Sequence, residues 1–189
     1  MPLGRYRRLW PALAWGIPLL LLLQPTEWLL LLSAVLSHEG GHLFGFWLMG
    51  EPHPTLSAVA AGLTLSPRRQ LSYKSEAVIA LLGPLANLAV GLPLLLFGKG
   101  EGALTLGLVQ LMTALCNLLP FSGCDGGRAL LAALSLLLPP RVADGILSVL
   151  SGTALFFLLF ALLFLLNSEG GGGVLLLLAM LLTRALRTT

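Results

Sequence analysis

Charged residues are scarce in this sequence: only 10% of its 189 residues are Asp, Glu, Lys or Arg, whereas a soluble domain carries roughly 25%. At the same time 57% of the residues are hydrophobic. A soluble fold of this size could not hide so much apolar surface. The scarcity of charge therefore excludes a soluble globular domain and predicts an integral membrane protein.

Cysteines and basic runs are also few. The two cysteines, Cys116 and Cys124, cannot build a disulfide framework, and their spacing matches neither a redox motif nor a zinc site made of cysteine pairs. The net charge of +3 includes no basic run longer than the stretch 5–8. Nucleic acid is therefore not an expected partner.

Apolar runs close to the roughly 20 residues that cross a hydrocarbon core predict an all-α membrane protein of about six transmembrane helices. The stretch 1–23 begins like a signal peptide but lacks a small-x-small cleavage site, so it is interpreted as a retained first span. The chain 1–189 is expected to be a single polytopic domain. The predicted spans are 9–23, 28–49, 77–97, 103–119, 142–166 and 174–186.

The lysines and arginines predict the orientation of these spans. With the N-terminus in the cytoplasm, ten of the 11 lie on the cytoplasmic side and only Lys99 lies outside. We therefore expect a multi-pass protein of the cell membrane with both termini cytoplasmic. The ten are Arg5, Arg7, Arg8, Arg68, Arg69, Lys74, Arg128, Arg141, Arg184 and Arg187.

The segment 54–67, between the second and third spans, is neither long enough nor apolar enough to cross a membrane. Its Thr and Val residues favour strands, and Ala60, Ala61 and Gly62 can turn. We therefore predict a short membrane-associated β-hairpin or re-entrant segment, whose strand edges must be covered by protein.

Two histidines and a glutamate lie inside the second apolar run. His38 and His42 are four residues apart, so on a helix they share one face and can bind one metal ion together. Glu39 lies beside them, where it can act on a metal-bound water. Charged groups at the centre of a bilayer helix cost about 2.5–3.5 kcal/mol each on insertion scales, so they usually have a function. The stretch predicts a zinc protease site within the membrane.

A second polar cluster follows the fourth span. Pro120, three nearby glycines and Asp125 indicate a broken helix whose unwound backbone lines protein or water. Two histidine ligands leave tetrahedral zinc short of a third protein ligand, which in hydrolytic sites is often a carboxylate. Asp125 is the best candidate, while an Asp before two glycines is also typical of a turn or helix cap.

A third polar patch, the stretch 83–87, lies in the middle of the third span. Gly83 and Pro84 loosen a helix and free a carbonyl group. Asn87 is a lone amide in an apolar span. It has two interpretations, an interhelical hydrogen bond and an amide that holds substrate backbone near the metal.

Together the three clusters resemble the site-2 protease family of intramembrane zinc metalloproteases. That family carries, in this order, a His-Glu-x-x-His helix, a Gly-Pro-x-x-Asn span, and an Asn-x-x-Pro segment followed by Leu-Asp-Gly. The resemblance implies a catalytic core at about 28–138, in a compact type without a PDZ domain that is similar to the branch processing a sporulation sigma factor. The matching stretches are 38–42, 83–87, 117–120 and 125–128.

By this resemblance His38, His42 and Asp125 bind one zinc ion (Zn²⁺) per chain, and Glu39 is the catalytic base. Asn87 and Asn117 are implied to position the substrate. The expected enzyme is a zinc metalloendopeptidase that cleaves a membrane protein substrate within or near a transmembrane segment. A membrane-bound regulator is a further candidate partner.

One departure from the family and two other functions stay open. The family usually has leucine before the aspartate, where this chain has Cys124, whose thiolate suits zinc. Adjacent side chains rarely both reach one ion, so Asp125 is preferred. The other functions are a non-proteolytic zinc-binding scaffold or chaperone for membrane proteins and an ion or metal transporter. The polar residues form one site rather than a path, which disfavours the transporter.

Overall fold

The structure is a computed structural model that describes residues 24–59 and 62–166, with the side chains of these residues apart from 56–59, 62–64 and 162–166. The predicted spans 9–23 and 174–186 and the predicted turn residues Ala60 and Ala61 lie outside the described residues. The elements are α1 (Pro25–Leu48), β1 (Thr55–Val59), β2 (Gly62–Ser66), α2 (Tyr73–Phe97), α3 (Glu101–Asn117), α4 (Asp125–Ser135) and α5 (Pro140–Leu166).

Three of the described helices are long and apolar enough to cross a membrane: α1, α2 and the part Pro140–Ala161 of α5. They coincide with the second, third and fifth predicted spans. Helix α3 covers the fourth, but its 17 residues reach only about 26 Å at the α-helical rise, less than a hydrocarbon core of about 30 Å. The chain is thus a mostly helical membrane protein, and the count of six spans stays a prediction.

Helix α2 occupies the centre of the helical packing, since it contacts α1, α3 and α4. Small residues let its neighbours approach, as is common between helices in membranes. A methyl group added to Gly91 of α2 would lie 2.9 Å from the Cβ of Gln110 and 3.1 Å from the carbonyl oxygen of Gly107, both in α3. This close approach brings the polar side chain of Gln110 into the core.

Helix α1 presents the predicted metal ligands to α2. Its buried residues recur at helical spacing and include His38 and His42. A Cβ added to Gly45, on the same face, would lie only 3.1 Å from the Cα of Ile79 in α2. The absence of a side chain there allows the two helices to pack closely beside the histidines.

Strands β1 and β2 pair antiparallel in the segment where strands were predicted, with Thr55 opposite Ser66 and Val59 opposite Gly62. An ion pair connects the residues that flank the two strands. Arg69, after β2, donates hydrogen bonds of 2.9 and 2.7 Å to one carboxylate oxygen of Glu51, before β1. These bonds hold the pKa of the Glu51 carboxyl below its usual range. The association of the strands with a membrane stays a prediction.

Helix α4 is an addition to the predicted elements. The helix break expected near Pro120 is present, because α3 ends at Asn117 and the next helix begins at Asp125. The chain after the break forms a helix of 11 residues, which the sequence did not predict. Gly126 and Gly127 permit this turn, since a Cβ on them would overlap the backbone of residues 118 and 121, respectively.

Candidate metal centre

Three electron-pair donors from two helices converge at one buried point. The Nε2 atoms of His38 and His42 are 3.2 Å apart. The Oδ2 atom of Asp125 lies 2.8 Å from Nε2 of His38 and 3.3 Å from Nε2 of His42. All three side chains are buried, and as a group they could hold a metal ion. The predicted ligands His38, His42 and Asp125 are thus brought together, although Asp125 is more than 80 residues away in the sequence.

The spacing of these donors fits a small divalent cation. For metal–ligand distances of about 2.0–2.1 Å, the edge of a coordination tetrahedron is roughly 3.3 Å. The three observed separations, 2.8, 3.2 and 3.3 Å, lie close to this value. Two imidazole nitrogens and a carboxylate oxygen are also a donor set that zinc accepts in hydrolytic sites.

The outer nitrogen of His42 is held by the backbone of α2. Its Nδ1 lies 2.8 Å from the carbonyl oxygen of Ile79. A carbonyl oxygen only accepts, so Nδ1 donates and the Nε2 of a neutral ring keeps its lone pair for a metal. Pro84 leaves the carbonyl of Ala80 without its helical donor. The acceptor for His42, the carbonyl of Ile79, directly precedes the carbonyl of Ala80 that Pro84 frees.

The outer nitrogen of His38 is held by Asn87. Its Nδ1 lies 2.8 Å from Oδ1 of Asn87, whose amide nitrogen donates to the carbonyl oxygen of Ala34 at 2.9 Å and to Oε1 of Gln110 at 2.6 Å. Asn87 is 0% exposed. The interhelical hydrogen bond, one of the two interpretations of Asn87, is therefore present. A substrate could touch this side chain only if the three helices around it separated, and that role stays a prediction.

The second oxygen of Asp125 faces a cation. Its Oδ1 lies 3.5 Å from a guanidinium nitrogen of Arg128, one turn later in α4, and the other guanidinium nitrogen lies 3.7 Å from Glu76. Asp125 is also in the first turn of α4, where the helix dipole favours negative charge. A nearby cation and a helix N-terminus both favour the ionised form of this carboxylate, which is the form that binds a metal.

Glu39 is half-buried beside the three donors, and its carboxylate interacts electrostatically with His38, His42 and Asp125. Within the described part of the chain, its Oε2 is the buried side-chain polar atom that has no hydrogen-bond partner. A buried acceptor without a partner is costly, so a partner that arrives with a ligand is expected there. A water molecule bound next to the metal site would supply it.

Two further predicted residues lie at the ends of the segment between α3 and α4. Asn117 is half-buried at the last residue of α3, and its amide nitrogen donates to the carbonyl oxygen of Thr113 at 2.9 Å. Cys124 is buried directly before α4. In the described residues, the donor atoms that converge within 4.8 Å of one another belong to the two histidines and Asp125, without Cys124.

Three residues support the site through contacts that were not predicted from the sequence. Gln110 bonds to Asn87, Arg128 faces Asp125, and Gly83 lies against the ring of His42. Gln110 carried a recognisable signal, because it is a lone amide in an apolar run just as Asn87 is. The partners of the other two depend on tertiary packing.

The fold and the donor cluster define a helical membrane protein with a candidate metal centre. Among solved structures, the site-2 protease from Methanocaldococcus jannaschii is similar, with a TM-score of 0.62 and 23% identity over 86% of this chain and 76% of that chain. The chain therefore has a site-2-protease-like fold, which confirms at the level of the fold the resemblance inferred from the motifs. No protein-family model matches the sequence, and no curated protein matches it.

Proposed function

We propose that this chain is an intramembrane zinc metalloprotease that hydrolyses a peptide bond within or near a transmembrane segment of a membrane protein. The observation that carries the proposal is the convergence of two imidazoles and a carboxylate at 2.8–3.3 Å beside the half-buried Glu39, whose buried Oε2 has no hydrogen-bond partner among the described residues. The helices that hold the two histidines and their hydrogen-bond partners Ile79 and Asn87 are long enough to cross a membrane. The site-2-protease-like fold adds support.

The mechanism assigns a task to each of these groups. Nε2 of His38, Nε2 of His42 and Oδ2 of Asp125 would hold the metal. Zinc bound there would supply Lewis acidity for the scissile carbonyl group and for water. The Glu39 carboxylate takes a proton from the attacking water and delivers it to the leaving nitrogen. Of the two asparagines proposed to position substrate, Asn117 is the more accessible, because Asn87 is fully buried.

The substrate segment must unwind before it can be cleaved. A transmembrane helix satisfies its backbone groups internally, which conceals its peptide bonds. Helix-breaking residues in the substrate are therefore favoured. The strand pair β1 and β2 follows α1 directly in the chain and can receive an unwound segment as an added strand, because a strand edge offers backbone hydrogen bonds to an extended peptide.

Proline in strand β1 tests this strand addition. Ala58→Pro or Val59→Pro removes a backbone N–H and opposes the strand conformation. We expect cleavage to be abolished while the chain still binds zinc. Ala58→Val, which keeps the N–H and favours a strand, is the control and should cleave normally. Unchanged cleavage by the two proline variants would contradict the role of the strands.

Metal removal tests the proposed function as a whole. The purified chain in detergent should contain about one zinc per chain and cleave a single-span substrate, and a chelator should stop cleavage until zinc is added back. His38→Ala is the matched variant, in which both the metal and the cleavage are expected to be lost. Cleavage that resists the chelator contradicts the proposal, whereas stable zinc without cleavage of any substrate would favour the scaffold or chaperone function.

A further inference from the structure

A chain of hydrogen bonds leads from the backbone of α1, through α3 and α2, back to His38. The hydroxyl of Ser37 donates to the carbonyl oxygen of Ser33 at 2.9 Å. The amide nitrogen of Gln110 lies 3.2 Å from the same hydroxyl oxygen. Further hydrogen bonds connect Gln110 to Asn87 and Asn87 to His38. It ends on the ring nitrogen of His38 that faces away from the metal site.

The donor and the acceptor of each hydrogen bond can be assigned in turn, starting from the backbone carbonyl of Ser33, which can only accept. The Ser37 hydroxyl donates its hydrogen to a backbone carbonyl, so its oxygen is available as an acceptor. The NH₂ group of Gln110 is therefore the end that faces Ser37, and the carbonyl end of Gln110 faces Asn87 at 2.6 Å. Gln110 is 1% exposed, so no solvent competes for these bonds.

The orientation of Asn87 follows in turn. Its NH₂ group meets two oxygens that only accept, Oε1 of Gln110 and the carbonyl of Ala34. The reverse orientation would place the carbonyl oxygen of Asn87 against both of them. Oδ1 of Asn87 therefore faces His38 at 2.8 Å, and Nδ1 of His38 must supply the hydrogen.

We infer that Gln110 is a positioning residue which, through Asn87, holds His38 in the tautomer that can bind a metal. With the proton on Nδ1, the lone pair of a neutral ring is on Nε2, the atom that faces His42 and Asp125. In the other tautomer, Nε2 carries a hydrogen and cannot bind a cation. This inference rests on the metal site of the proposed function, but it concerns a residue outside the recognised motifs.

The test replaces Gln110 with a residue of similar shape that forms no such bonds. In Gln110→Met, Asn87 loses one of its two fixed acceptors, and the zinc dissociation constant should rise by about 10-fold to 100-fold. Nitrogen-15 NMR of the metal-free chain in detergent is recorded with Asp125→Ala in every sample, because the Asp125 carboxylate 2.8 Å from Nε2 of His38 would itself accept a hydrogen from that atom. It should show the Nδ1–H tautomer of His38 with Gln110 intact and a mixture of both tautomers with Gln110→Met. The signals are assigned by their loss in His38→Ala.

Thr113→Val is the matched control, since it removes a hydroxyl of the same helix that donates to the carbonyl of Val109 and lies outside the path from Ser37 to His38. It should leave zinc affinity and tautomer unchanged. Ser37→Ala is a milder second variant, and it should shift both readouts in the same direction as Gln110→Met but less.

Folded Gln110→Met with unchanged tautomer and zinc affinity overturns the inference. If that variant does not fold, Ser37→Ala decides by the same two measurements, and no shift in either of them overturns the inference as well. Neither measurement depends on cleavage. A chain that binds zinc through His38 as described but cleaves no substrate would contradict the proposed protease and leave this inference intact.

Discussion

Glu39→Gln is expected to abolish peptide-bond hydrolysis and to leave the metal bound. The substitution keeps the shape of the side chain but removes the carboxylate that accepts a proton from water. General bases typically contribute about 10²–10⁴-fold to rate, so cleavage should fall by at least about 100-fold. Glu39 is not among the three converging donors, so zinc content should stay at the unmodified level. Both quantities can be measured on the same detergent-purified sample.

Glu101→Gln is the control for this substitution, because Glu101 is an exposed carboxylate in the first turn of α3. It should change neither zinc content nor cleavage. If Glu39→Gln retains activity, the mechanism in which Glu39 moves the proton is wrong. If it loses zinc, Glu39 acts as a ligand rather than as a base.

Local spacing explains why His38 and His42 could be proposed as metal ligands from the sequence. His38 and His42 are neighbours on any helix. Ionisable side chains are also unusual in an apolar run, so these residues stand out in the sequence. Asp125 could be proposed because it stands at a break between apolar segments. Its meeting with the histidines depends on the turn before α4, which only the packing of Gly126 and Gly127 against neighbouring backbone makes possible. That packing has no local signature.

The stretch 83–87 was interpreted incompletely for the same reason. The sequence suggested a loosened helix and, for Asn87, either an interhelical hydrogen bond or an amide for the substrate, but it did not identify the partner of that hydrogen bond. In the structure Asn87 bonds to His38, and Gly83 lies against the ring of His42. The stretch therefore supports the two histidines from the neighbouring helix. Such a role becomes apparent only when α1 and α2 are placed side by side.

The role of Gly83 leads to the second prediction, that Gly83→Ala prevents metal binding. A Cβ at this position would overlap Cε1 and Nε2 of His42, and Nε2 is one of the three converging donors. The ring cannot easily give way, because its Nδ1 is bound to the carbonyl oxygen of Ile79. We expect zinc affinity to fall by about 100-fold or more, since this change displaces a ligand itself rather than an outer partner.

Gly40→Ala separates this effect from a general effect of alanine in a helix. A Cβ at Gly40 meets nothing within 4 Å, although this glycine lies between the two histidine ligands in the chain. Both substitutions gain the same intrinsic helix propensity, about 1 kcal/mol. Gly40→Ala should therefore bind zinc normally and unfold at an equal or higher temperature. Equal zinc affinity in the two variants would contradict the placement of His42 against Gly83, and with it the geometry on which the metal site depends.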